Sequence, residues 1–214
     1  MQRNLQPEIL DSLPLDHPDA LHNRRDLRVT NRLLGSHRWL ERTVPPLLRP
    51  SEVALEIGAG TGELGRRLAA TGVAVAGLDL WPRPTGWPAA AAWHQVDLRT
   101  FGGFADYPAV VGNLIFHQFS DGELSDLGRT IRATTRVFVA CEPLRRRFSQ
   151  LAYRTLGPLF GANHVSLHDA HVSIAAGFVG RELPNALGFH PREWNIRCSA
   201  TLLGLYHLVA VRRN

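Results

Sequence analysis

Apolar and polar positions along the chain follow two different periods. Between Ala20 and Leu34, the residues Leu21, Leu27, Leu33 and Leu34 stand among polar neighbours with helical spacing. His37 to Val44 reads as a second short helix, stopped by Pro45-Pro46. Beyond that point short apolar runs alternate with helical ones. Val53 to Ile57 predicts a strand, Glu63 to Ala70 a helix ended by Gly72, and Val73 to Leu80 a second strand. A proline-rich loop, Trp81 to Pro88, leads to a third strand over Ala92 to Val96, and Ala109 to Leu114 predicts a fourth. Ser120 or Asp121 caps a helix running through Ile131, and Arg136 to Cys141 is a fifth strand. Such alternation implies a parallel sheet with helices on both faces, which binds ligands beyond the carboxyl ends of its strands.

The two ends depart from this rhythm. Glu193 to Ser199 and Leu203 to Val211 are joined too closely for a crossover and predict an antiparallel hairpin. Before them, residues 142–192 hold histidines, glycines and further helices, a stretch long enough for a lid or substrate wall. The first twenty residues, with three prolines and four acidic side chains, read as a loosely ordered lead-in. The expected organisation is a single domain, 1–214: a helical cap (1–50), a ligand-binding core (51–141), a substrate-side insert (142–192) and the hairpin (193–214).

Composition narrows the chemistry. The 24 basic residues are all arginine. Without lysine, no Schiff base can form on the chain, and neither a Walker A loop nor a protein-kinase site can be complete. A net charge of +5 raises the question of nucleic acid, but the arginines are scattered, with Arg145-Arg146-Arg147 the one run of three. Cys141 and Cys198 stand far apart with no zinc-ligand spacing, so no metal is expected. No signal-peptide core is visible, and no apolar stretch approaches the ~20 residues of a membrane span. A cytoplasmic protein is the expectation, and nothing in the chain speaks to its oligomeric state.

The most informative stretch is Leu55-Glu56-Ile57-Gly58-Ala59-Gly60-Thr61-Gly62-Glu63-Leu64-Gly65. Its alternating glycines let the backbone approach a ligand at the start of a helix. Asp79 follows 21 residues after Gly58 at a strand end, where a carboxylate can accept from both ribose hydroxyls. Gly60, Gly62 and Gly65 also satisfy the dinucleotide fingerprint, so a dehydrogenase stays open on the glycines alone. Glu56 discriminates: a carboxylate at the loop mouth repels a pyrophosphate and suits a ligand carrying an ammonium and a sulfonium.

These residues resemble the first motif of class I S-adenosylmethionine (SAM)-dependent methyltransferases. The resemblance implies a Rossmann-like, mostly parallel seven-stranded sheet in the order 3-2-1-4-5-7-6. It implies that Glu56, Gly58, Gly60 and Gly62 hold the methionine end of SAM, and that Asp79, followed by Leu80, holds the ribose. Asp97 and Leu98 would lie beside the adenine, and Asn113 would line the methyl-transfer pocket.

Methyl transfer leaves the protein to position a nucleophile and take its proton. With no amine available, that acceptor must be histidine, carboxylate, tyrosine or cysteine. His117 follows the fourth strand and has a suitable unperturbed pKa, with a packed loop histidine as the competing account. His164, His168 and His171 share one helical face at i, i+4 and i+7, with Asp169 beside them; His168 and His171 join His117 as catalytic candidates, against a surface role. Asn31 to Gly35 could cap the cleft, and Arg38 could reach a substrate carboxylate. Trp81 could touch the adenosine or pack the proline-rich loop. The expected function is methylation of a small molecule at a hydroxyl oxygen, since Asn113-Leu114-Ile115-Phe116 lacks the Asn/Asp-Pro-Pro-Tyr/Phe motif of amine and base methylation. RNA methylation and a SAM-fold regulator without methyl transfer are the alternatives; the scattered arginines argue against nucleic acid.

Overall fold

A computed structural model describes residues 1–14 and 16–213. Seven strands form one sheet in the order β3-β2-β1-β4-β5-β7-β6. They are β1 (Val53–Ile57), β2 (Ala74–Asp79), β3 (Trp93–Gln95), β4 (Ala109–Asn113), β5 (Val137–Pro143), β6 (Trp194–Ala200) and β7 (Leu205–Arg212). The first five run parallel, and β7 joins β5 and β6 antiparallel. The Rossmann-like order expected from the glycine-loop resemblance is the one observed.

Among the described residues seven α-helices surround the sheet and the crevice at its edge: α1 (Pro18–Leu34), α2 (Ser36–Thr43), α3 (Glu63–Ala70), α4 (Asp121–Thr134), α5 (Arg147–Leu156), α6 (His164–Ala176) and α7 (Glu182–Ala186). The two-residue period of the strands divides the core into two layers. Leu55, Ile57, Phe138 and Ala140 pack on one face with Leu124 and Ile131 of α4. Ala54, Val137 and Val139 pack on the other with Leu40 of α2 and Leu64 and Leu68 of α3. Because both faces are covered, the central strands read as near-continuous apolar runs, interrupted by Glu56 in β1 and Glu142 in β5.

Local signals fix the boundaries. Ser120 caps α4 in a reciprocal box with Glu123, whose carboxyl is held at about 2 by Arg99 first and by Ser120 second. Gly35 takes φ +77° between α1 and α2, a conformation that ends the first helix. Two expectations shift. β5 runs on to Pro143 because β7 continues the ladder through Glu142–Tyr206 and Pro143–Leu205. β3 shrinks to three residues at the sheet edge.

The loose lead-in expected for the N-terminus is not what the structure holds. Its first residues form an anchored strap. Arg3 binds the carbonyls of Phe119 and Ala176 and the Asp121 carboxylate, and stacks over Phe178. The amides of Ile9 and Leu10 donate to the two oxygens of Asp169 in α6. Proline content limits helix formation here but leaves side chains free to dock, and docking decides the outcome. Leu15 and Asn214 lie outside the described residues.

Candidate functional site

The strand order reverses between β1 and β4, so the loops leaving these neighbours diverge and open a crevice. A cavity of about 880 Å³ occupies it. The glycine loop, Asp79 and Asp97 form one wall and α1 another, with the strap, the turn after β4, α5–α6 and the β6–β7 tip completing the lining. Its size lies toward the upper end of small-molecule sites, roughly 300–1,000 Å³.

Every residue expected to hold a cofactor, except Gly62, lines this cavity. Gly58 adopts φ +64°, and a Cβ there would collide with Ile115 at 2.7 Å. Gly60 differs. At φ +51° its missing Cβ would face open space, with nothing within 4 Å, so the backbone there forms a cradle. Gly62 packs against Pro84 and Trp87, which makes it a structural member of the loop.

Glu56 is buried, and its Oε2 has no hydrogen-bond partner among the described residues. Burial pushes its pKa up to about 8; the Gly65 backbone works against this and Asp79 adds to it. This oxygen lies next to Gly65 at the start of α3, and Glu56 lines the same cavity as the open cradle of Gly60, a combination that a cationic ligand would complete. Asp79 accepts from the Gly60 amide at 2.7 Å and the Trp81 amide at 2.9 Å, tying the loop to the end of β2. Burial raises its pKa, partly offset by these bonds. Leu80 is exposed at the cavity edge, Leu98 is buried, and Asp97 accepts from the Arg99 amide. Trp81 lines the cavity with the Arg24 guanidinium over its ring at 4.1 Å, whereas Trp87 and Trp93 pack together.

Asn113, at the end of β4, donates to Asn31 Oδ1 at 3.1 Å. His37 lies within 3.5 Å of the same amide and also lines the cavity. Arg38 is exposed and does not, so the cleft takes the histidine of that pair and not the arginine. The expected reach of Arg38 to a substrate carboxylate is corrected accordingly.

The histidine candidates separate. His117 is buried in a short turn after β4, with Nδ1 2.7 Å from Glu142 Oε2 and Nε2 3.2 Å from Glu8 Oε1. Burial alone would lower its pKa, but the two carboxylates raise it to about 10. It is an imidazolium clamped on both nitrogens, a poor proton acceptor near neutrality. His168 and His171, with His164, do share one face of α6, but it is the exposed face. The buried stripe is Val165, Asp169, Val172 and Ala176, and it sends Asp169 to the cavity. As catalytic candidates His168 and His171 are therefore corrected to surface residues: helical spacing was right, and the choice of face was wrong.

Glu142 went unnoticed in the sequence. It is fully buried at the end of β5 and accepts from the amides of Ile115, Phe116 and His117 as well as from the His117 ring. Glu8 reaches the other nitrogen of His117 from the strap and also accepts from Ser173 and Gln118. Asp11, also on the strap, lines the cavity; burial first, then Glu8 and Asp169, raise its carboxyl to about 6. Among the described residues, no group of His, Cys, Asp or Glu is placed to hold a metal ion.

No protein-family model matches the sequence. No curated protein matches it either. Solved structures do. The plantazolicin methyltransferase BpumL in complex with SAH superposes over 96% of this chain and 93% of its own, with TM-score 0.72 and 11% identity. Human N-acetylserotonin methyltransferase in complex with SAM matches over 95% of this chain and 61% of its own, with TM-score 0.61 and 12% identity. Magnesium protoporphyrin IX methyltransferase from Synechocystis PCC 6803 with bound SAH matches over 88% and 86%, with TM-score 0.58 and 18% identity. At these identities the likeness speaks to architecture, and the chain has the fold of these methyltransferases.

Proposed function

We propose that this chain is a SAM-dependent methyltransferase acting on a small molecule. The observation that carries the proposal is Glu56, a buried carboxyl whose unpartnered oxygen lies next to Gly65 at the start of α3, in the lining of the same cavity as the open backbone of Gly60, Asp79 and Asp97. A pyrophosphate would find no positive partner in Glu56, whereas an ammonium would draw its carboxyl, raised to about 8 by burial, into the ionised form and be held by it. Glu56 with Gly58 and Gly60 holds the methionine end, Asp79 and Leu80 the ribose, Asp97 and Leu98 the adenine, and Asn113 the edge facing the acceptor. When bound, SAM supplies a methyl carbon already activated by its sulfonium.

The residues of this chain then orient the acceptor, exclude water and take a proton. We assign the acceptor as an acidic hydroxyl oxygen. The clamped His117 does not serve as its base. We assign that role to Asp11, an exposed strap residue that lines the cavity and whose carboxyl is raised to about 6, in the range general-base catalysis favours.

Calorimetric titration with S-adenosylhomocysteine tests the cofactor, and the absence of any binding heat or affinity would end the proposal. An NAD(H) titration in the same instrument tests the dehydrogenase alternative. For the acceptor, turnover on a panel of phenols should rise through about pH 6, and Asp11→Asn should remove that limb. A methylated amine as the product would overturn the oxygen assignment. Turnover of RNA falling steeply with salt would favour the nucleic-acid alternative.

A further inference from the structure

Helix α5 is amphipathic, yet none of its ten residues is buried. One side presents Phe148, Ala152 and Leu156 to the cavity. The other carries Arg147, Leu151 and Arg154 outward. The turn that follows exposes Leu159 at 78%, and the β6–β7 tip exposes Leu202 at 89%. That tip lies against α5, where a Cβ on Gly204 would come within 2.8 Å of the Ser149 hydroxyl. Phe148, Leu202 and Leu203 are exposed on the outside and line the cavity on the inside. The apolar rim is therefore continuous with the interior of the site, an arrangement that marks an interaction surface.

Charge identifies the partner. Residues 143–168 contain no Asp or Glu, and neither do residues 194–213. Exposed Arg146, Arg147 and Arg154 flank the leucines. A second copy of the chain would bring these arginines against one another. An anionic lipid headgroup layer would instead attract them, while the apolar tips enter the acyl boundary.

We propose that this rim docks on an anionic lipid bilayer, so that the cavity opens onto the membrane and draws a lipophilic substrate from it. The substrate clause rests on the methyltransferase reading; the docking surface does not. No helix among the described residues is long and apolar enough to cross a membrane, so the contact is interfacial.

Flotation with phosphatidylcholine vesicles, with and without a third of phosphatidylglycerol, tests it. The chain should float with the anionic vesicles, less so as salt rises, and remain in the aqueous phase with neutral ones. Leu151 and Leu159 lie outside the cavity lining, so the double variant L151E/L159E should lose roughly tenfold in vesicle binding with unchanged S-adenosylhomocysteine titration and thermal unfolding. Failure to float, equal flotation with neutral vesicles, or an unaffected double variant would overturn the proposal. So would self-association in sedimentation that the double variant abolishes, which would give the face to a second copy. If the chain floats but binds no S-adenosylhomocysteine, the methyltransferase reading falls and the docking surface stands.

Discussion

His117 shows how far two carboxylates can move one side chain from its ordinary role. With Glu142 and Glu8 on its two nitrogens it folds as a cation, and its pKa is raised from 6.5 to about 10. A raised folded pKa gives stability that is complete below pH 6.5 and is lost as pH climbs through 10. Replacing it by alanine leaves a buried carboxylate without its cation, a loss of roughly 3–5 kcal/mol near neutrality. Denaturant titrations of wild type and His117→Ala should show that gap narrowing from pH 7 to pH 10; a constant gap would show that charge is not the cause. Glu56 gives the opposite case. Near pH 7 its carboxyl, with a pKa of about 8, is largely protonated, and an adjacent ammonium would lower it. Binding of S-adenosylhomocysteine should release a proton, so the calorimetric heat at pH 7 should differ between phosphate and Tris buffers, and Glu56→Gln should erase the difference. The glycine loop was legible because its parts adjoin in the chain. Glu142 and Glu8 were not, since they reach His117 across 25 and 109 positions.

At the scale of elements, the strap and α6 carry the lesson. A helix of thirteen residues with histidines on one side and Val165, Asp169, Val172 and Ala176 on the other offers two stripes, and apolar burial chooses between them. Asp169 follows the apolar stripe inward and there holds the amides of Ile9 and Leu10. Asp169→Ala should free those amides, and hydrogen exchange over residues 1–14 should rise about tenfold or more for a loss of roughly 1.5–3 kcal/mol of charge-assisted bonding. Unaltered protection would mean that Arg3 and Glu8 suffice to anchor the strap. Nothing in the proline-rich sequence announces this docking, because its partners lie on α6 and in the turn after β4.

For the whole molecule, the alternation of periods was enough to predict the sheet, its parallel core and the final hairpin. What it could not predict was which end segments close over the crevice, because that depends on contacts between the strap, α1 and α5–α6. The cavity is lined by all three, so a ligand filling it ties both ends of the chain to the sheet. S-adenosylhomocysteine at a hundredfold excess over its Kd should add about 2.7 kcal/mol and raise Tm by about 5–10 °C. Asp79→Asn, which weakens the tie to Gly60 and the ribose contact proposed for it, should reduce that rise; an identical shift would remove Asp79 from the cofactor site.

The carboxylate of Glu142 has a consequence for redesign. Three of its four bonds come from backbone amides of residues 115–117, so it dictates the shape of the turn after β4 with little demand on which side chains the turn carries. Leu114, Ile115 and Gln118 of that turn face the cavity. Ile115 also packs against Gly58, Gln118 donates to Glu8 and Leu114 holds φ +57°, so among these it is the size of the Leu114 side chain that can be varied to retune which acceptor is taken while one distant glutamate keeps the scaffold.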